Sequence, residues 1–175
     1  MNKKAVIIIA FKNFRDEEYF VSKEVLENRG VETKTASNEK GTALGADGGE
    51  VNVDLTVEEI NVSDFDAVVF VGGSGCLECL DNEKSYRLLK EAIEKNRVLG
   101  SICISPVILA KAGALKGKKA TVWSSPLDRS PIKILEAQGA EFVDEKVVWD
   151  GNIITGNGPD AAREFGKTIA DALEA

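Results

Sequence analysis

Val98-Leu99-Gly100-Ser101-Ile102-Cys103-Ile104-Ser105-Pro106 decides the fold. Leu99 and Ile102, with two small residues between them, fit the end of an interior strand. Pro106 opens an apolar run (Val107, Ile108, Leu109, Ala110) and suits a first helical position, where its missing N–H is not needed. Ser105 stands where a helix cap is expected. The stretch therefore predicts a buried strand, a one-residue corner at Cys103, then a helix. A strand-to-helix corner carrying the reactive atom resembles a nucleophile elbow, here with a thiol. A sulfur at a helix N-terminus meets the positive end of the peptide dipoles, so a thiolate is expected there. The plainer reading is a small buried cysteine at an ordinary strand end.

Outward from this corner, the chain alternates apolar strands with helical stretches. Ala5-Val6-Ile7-Ile8-Ile9-Ala10 reads as a first buried strand, followed by a polar turn, Phe11 to Asp16. Asp16 is expected to cap a helix running to about Arg29 and stopped by Gly30. Val31 to Ser37 alternates and reads as a second strand. Asn38 to Asp54, rich in glycine, reads as a loop or small hairpin excursion. Ala67 to Val71 is a further apolar strand running into Gly72-Gly73-Ser74-Gly75. Asn82 to Asn96 reads as an amphipathic helix with Leu88, Leu89 and Ile93 turned inward. Ala120 to Trp123 reads as a short strand and Pro131 to Gln138 as a helix. Asp150-Gly151 joins two strand-like runs as a two-residue hairpin. Asp160 to about Leu173 closes the chain as a helix. This order predicts one α/β domain over residues 1–175: a sandwich with a mostly parallel central sheet and helices on both faces.

Composition narrows the function. The 175 residues carry 22 basic and 29 acidic side chains, a net charge of −7. An acidic chain without a basic cluster argues against nucleic acid and against anionic membranes. The first apolar run is too short to span a bilayer, and a cytoplasmic protein is expected. Three cysteines do not suggest a secreted disulfide framework. There is no histidine. That excludes a Ser-His-Asp triad, a Cys-His dyad within one chain and histidine-based zinc motifs. Acid–base work falls to carboxylates, Lys, Tyr or Cys.

In a parallel sheet the loops beyond the strand C-termini form the ligand crevice. Three loops converge there: Asp16 to Glu18, Gly72 to Cys79, and Cys103 to Ser105. At about 100° per residue, Glu18 lies about 20° from the inward-facing Val25, whereas Glu17 lies about 80° away on the other side. Glu18 therefore points at the rim of the sheet, partly desolvated, where its protonated form is favoured. Beside Cys103 it can donate to sulfur or shuttle a proton. The N–H groups around Gly72-Gly73 and that of Ile104 are candidates for an oxyanion hole, although a glycine pair also marks any tight turn. Cys76-Leu77-Glu78-Cys79 has the spacing of a redox dithiol or of half a zinc site. With no histidine to complete a metal site, no metal and no cofactor are expected. Cys76 or Cys79 is a candidate resolving thiol for an oxidised Cys103, or a structural pair.

Together these pieces resemble the ThiJ/PfpI superfamily, which includes PfpI-type intracellular proteases and the Parkinson-associated deglycase. Phe14-Arg15-Asp16-Glu17-Glu18 resembles the family's Phe-Glu-Asp-x-Glu. Phe65 to Gly73 resembles its Phe-Asp-Ala-Leu-Val-Leu-Pro-Gly-Gly, and Ser101 to Pro106 its Ser-Ile-Cys-His-Gly-Pro. Gly156-Asn157-Gly158-Pro159 resembles a late Arg-Gly-Pro turn. The resemblance covers essentially the whole chain. It implies a flavodoxin-like fold of the class I glutamine amidotransferase type, in dimers or larger rings. It also implies Cys103 as reactive cysteine, Glu18 as its acidic partner, and Gly73 and Ile104 as oxyanion donors. The departures are informative. Protease-type members carry histidine right after the cysteine, where this chain has Ile104. Deglycase-type members carry a histidine on a nearby strand, at a position that falls at Trp123, beside Gly72 in the expected pocket. Glu78 stands one residue out of register with a glutamate that protease-type members borrow from a neighbouring subunit.

Two functions follow as expectations. The first is an enzyme of glyoxalase or deglycase type, in which Cys103 adds to a small reactive carbonyl or a carbonyl-modified side chain. Glu18 would move the proton, and an already ionised thiol would need no base. The second is a redox-sensing stress protein in which Cys103 is oxidised. Peptide cleavage is disfavoured, because no imidazole is present to protonate the amine leaving group.

Overall fold

Unbroken apolar runs with no alternation belong to strands covered on both faces, and three such runs form the centre of the molecule. Every residue of 67–70 and 98–102 is buried, as is every residue of 4–9 after Lys4. The computed structural model describes residues 1–175. In chain order its elements are β1 (Lys4–Ile9), β2 (Lys12–Phe14), α1 (Asp16–Asn28), β3 (Glu32–Ser37), β4 (Thr42–Gly45), β5 (Glu50–Asn52) and β6 (Leu55–Thr56). Then come β7 (Ala67–Phe70), α2 (Cys76–Leu80), α3 (Glu83–Glu94), β8 (Val98–Ile102), α4 (Pro106–Lys111) and β9 (Lys119–Ala120). The chain ends with α5 (Ser130–Ala137), β10 (Glu141–Phe142), β11 (Val147–Asp150), β12 (Ile153–Gly156) and α6 (Ala162–Glu174).

Seven strands make the main sheet, in the order β11-β12-β8-β7-β1-β3-β6. All neighbours run parallel except the β11–β12 hairpin at one edge. The architecture is the flavodoxin-like α/β sandwich expected from the sequence. Side chains leave each strand to alternate faces, and the sheet therefore has two cores. Val6, Ile8, Val68, Phe70 and Leu99 pack with residues of α3, α4 and α5. Ile7, Ile9, Val69, Val71 and Ile102 pack with residues of α1 and α6. Gly100 in β8 admits α6 closely: a Cβ there would lie 2.7 Å from Ile169 Cδ1. No helix is long and apolar enough to cross a membrane.

Four local expectations are corrected. The turn after β1 contains a short strand, β2, which pairs with β4 of the glycine-rich excursion to make a small second sheet with β5. The strand expected over 120–123 is shorter, ending at Ala120, so Trp123 lies in a loop. Ile93 is not inward but 41% exposed; the smaller Ala92, next to it, takes the core position on α3. Asp16 does not cap α1 but is its first residue. Its buried carboxylate accepts the N–H groups of Asp47 (2.9 Å) and Gly49 (2.7 Å), tying the β4–β5 hairpin to the start of α1. A Cβ at Gly45 or Gly49 would collide with that carboxylate. Hydrogen bonds to a buried ionised group are worth more than neutral ones. Asp16→Ala is therefore expected to cost about 2–3 kcal/mol in urea unfolding, with protease cutting first within residues 41–53. Unchanged stability and an uncut hairpin would refute this tie.

Candidate functional site

The corner after β8 is held by its own backbone and by one hydroxyl. Cys103 has φ +66°, the left-handed region that non-glycine residues enter only where surroundings enforce it. The enforcing contacts are visible. Its N–H donates to the Gly156 carbonyl at the end of β12 (2.9 Å), and its carbonyl accepts the Trp123 N–H (2.8 Å). Ser105 does not cap α4 with its side chain as expected. Its hydroxyl is buried, accepts the Ile102 N–H (3.0 Å), and lies 2.6 Å from the Ser101 hydroxyl and 3.1 Å from the Phe70 carbonyl. The hydroxyl thus locks the ends of β7 and β8 beneath the corner. Cys103, above it, is a half-buried residue.

Glu18 comes to this sulfur from the first turn of α1. It is fully buried, and its Oε1 accepts the Gly72 N–H at 3.0 Å. Its Oε2 is buried without a hydrogen-bond partner, and the carboxyl interacts with the Cys103 side chain. The meeting depends on Gly72: a Cβ there would lie 2.6 Å from Cys103 Cβ and 2.9 Å from Glu18 Oε1. Burial pushes Glu18 up to about 7, opposed by the Cys103 contact, the Gly72 N–H and the Arg15 charge. Cys103 departs from expectation. Burial pushes its thiol up, and the neighbouring Glu18 charge adds to the rise. The N–H groups of Ile104 and Gly73 point at the sulfur and pull the other way, without overcoming the loss of water. The six-residue α4 adds too little dipole to reverse this. The sulfur is therefore a thiol beside an acid poised near neutrality, and not the free thiolate expected from the sequence.

The structure brings Cys103, Glu18, Gly72, Gly73 and Ile104 to one point, with Trp123 buttressing the corner through its backbone. It does not add the C-x-x-C pair. Cys76 is fully buried in the core on the α3–α4 face of the sheet, whereas Cys103 packs toward the α1–α6 face. Burial pushes the Cys76 thiol well up. Cys76, Cys79 and Cys103 are all free. No three Cys, Asp or Glu side chains converge in metal-ligand geometry. A cavity of about 950 Å³ lies elsewhere, around Lys4, Glu32, Asp54 and Asp66, and holds none of these groups. Two contributors do not stand out in the sequence. Ser105 has the look of a helix cap and nothing more, and Arg15 that of one position in a motif. The available signal for Arg15 is its departure from the family's glutamate at that place.

Known proteins share this arrangement of the chain. The profile of the DJ-1/PfpI family matches residues 3–172. An uncharacterized protein of Methanocaldococcus jannaschii is 44% identical, over 99% of this chain and 83% of that one. The deglycase PfpI of Pyrococcus furiosus is 34% identical, over 88% of this chain and 90% of its own. Among solved structures, a ThiJ/PfpI domain protein from Brachyspira murdochii superposes with a TM-score of 0.92 at 34% identity, covering 99% of this chain and 98% of that one. Drosophila melanogaster DJ-1beta superposes at 0.87 with 29% identity, covering 99% and 91%. The chain belongs to the DJ-1/PfpI family.

Proposed function

We propose that this protein is a deglycase- or glyoxalase-type enzyme that uses Cys103 to attack small reactive carbonyls or their adducts on side chains. The observation that carries this reading is the buried Glu18 carboxyl, poised near pH 7 against the thiol of the half-buried Cys103. A base works best when its own pKa lies near the working pH. Because burial keeps Cys103 protonated, Glu18 is needed as that base. As sulfur bonds the carbonyl carbon, the C=O π pair moves onto oxygen. Glu18 takes the thiol proton and returns it to that oxygen, giving a hemithioacetal. The Gly73 and Ile104 N–H groups, used by no backbone carbonyl, are the donors nearest the developing charge. Isomerisation of the adduct to a thioester, then hydrolysis, converts methylglyoxal to lactate with uptake of one water and no external oxidant. The similarity to proteins named deglycase supports the same class.

The protein incubated with methylglyoxal is expected to release lactate, and the same protein alkylated at Cys103 to release none. With Glu18 beside it to take the proton, Cys103 is expected to alkylate first, ahead of Cys79, with the buried Cys76 last. Lactate formation that survives alkylation of Cys103, or its absence from the unmodified protein, would reject the reading. The redox reading is weakened by Cys76, which lies in the other core with no exposed surface. The family's tendency to assemble makes a homo-oligomer part of the proposal.

A further inference from the structure

One charged side chain at the site has no task in this chemistry. Arg15 links β2 to α1, and its N–H donates to the Gly72 carbonyl at 3.0 Å. Its backbone nitrogen lies 2.5 Å from where a Cβ on Gly73 would fall. The residue is thus fixed against the same glycine corner that presents an N–H to the Cys103 sulfur. Its guanidinium enters no ion pair. Its Nε is buried without a hydrogen-bond partner, a costly state for a donor. The charge is close enough to Glu18 to favour the carboxylate there. An arginine fork is shaped for two-point contact with a carboxylate. The chain as a whole carries −7 and repels anions at a distance, so an anionic substrate needs a local cation at the reacting centre.

We propose that Arg15 binds the carboxylate of an anionic carbonyl substrate whose carbonyl carbon meets Cys103. The site then prefers oxo acids, of which glyoxylate is the smallest, over neutral dicarbonyls. This inference rests on the carbonyl chemistry proposed above. The covalent step is the same addition. Sulfur bonds the aldehyde carbon, the π pair moves to oxygen, the thiol proton passes through Glu18 to that oxygen, and the carboxylate stays paired with Arg15.

Protection of Cys103 from iodoacetamide, read by intact mass, tests it with glyoxylate and methylglyoxal as paired probes. Half-protecting concentrations are measured for the wild type, Arg15→Gln and Arg15→Lys. The preference for glyoxylate over methylglyoxal is expected to fall at least tenfold in Arg15→Gln and to return for the most part in Arg15→Lys. Lactate, a carboxylate with no aldehyde to attack, is expected to slow alkylation in the wild type and not in Arg15→Gln. An unchanged preference overturns the assignment of Arg15 and leaves the carbonyl chemistry standing. Protection by lactate but by neither aldehyde overturns the carbonyl chemistry and leaves the anion site. Protection by none of the three overturns both.

Discussion

Glu18→Gln is expected to make the protein more stable and far less active. Stability comes from the proton. Glu18 is fully buried, and its carboxyl is raised from 4.5 to about 7. A group whose folded-state value is raised contributes its full stability below pH 4.5. That contribution is lost as the pH climbs through about 7, because the unfolded chain gives up the proton first. At about 1.4 kcal/mol per pH unit, the rise is worth about 3 kcal/mol. The substituted glutamine carries no charge, and its oxygen can still accept the Gly72 N–H. At pH 8 the variant is therefore expected to gain about 2–3 kcal/mol, raising Tm by about 5–10 °C in a chain of this length. At pH 4 the gain should vanish. Activity moves the other way. Loss of the base is expected to slow lactate formation by about 100-fold or more. The wild-type rise in rate through about pH 7 should disappear with it. Cys103→Ala should abolish the reaction outright, since neither remaining thiol is paired with Glu18. A Glu18→Gln protein no more stable at pH 8, or one within tenfold of wild-type rate, would remove Glu18 as a buried base.

A position where stability and activity are opposed is the mark of a functional one, and the placement of Glu18 is partly legible in the sequence. The 3.6-residue period places Glu18 on the Val25 face of its helix. The central strands are legible for a simpler reason: β1, β7 and β8 are uninterrupted apolar runs, and only a sheet covered on both faces accepts them. What fails to read depends on partners distant in sequence. Asp16 has the chemistry of a helix cap, but its acceptors are used by Asp47 and Gly49, about thirty residues on. The state of Cys103 is hidden because a helix start is visible in a sequence, whereas the water lost by packing beside Glu18 is not. Ile93 fits an inward stripe by period alone, yet Ala92 fills the place. The Arg15 environment exists only after β2 brings the chain across the Gly72 carbonyl.

Gly73→Ala is expected to give a large loss of stability. Two independent costs fall on the same atom. Gly73 has φ +117°, a conformation that L side chains rarely adopt. The new Cβ would also lie 2.5 Å from Arg15 N and 2.5 Å from Asn13 O, with Phe14 C at 2.8 Å. These are backbone atoms, so no rotamer change relieves the clash. Either the β2–α1 connection shifts, or the Gly73 peptide turns. A shift of β2 carries Arg15 away from Gly72 and loosens Glu18 behind it. A turn of the peptide removes the N–H that points at the Cys103 sulfur. Strained backbone and a buried clash together are expected to cost about 3–5 kcal/mol in urea unfolding. Any folded fraction should form lactate at no more than about a hundredth of the wild-type rate, the scale of losing one oxyanion donor. Gly113→Ala is the matched control. It has φ +85° with open space around the added atom, so it bears the backbone cost alone and should lose only about 1–2 kcal/mol. If the two variants lose the same stability, crowding by Arg15 and Asn13 contributes nothing, and the glycine at 73 is needed only for its turn.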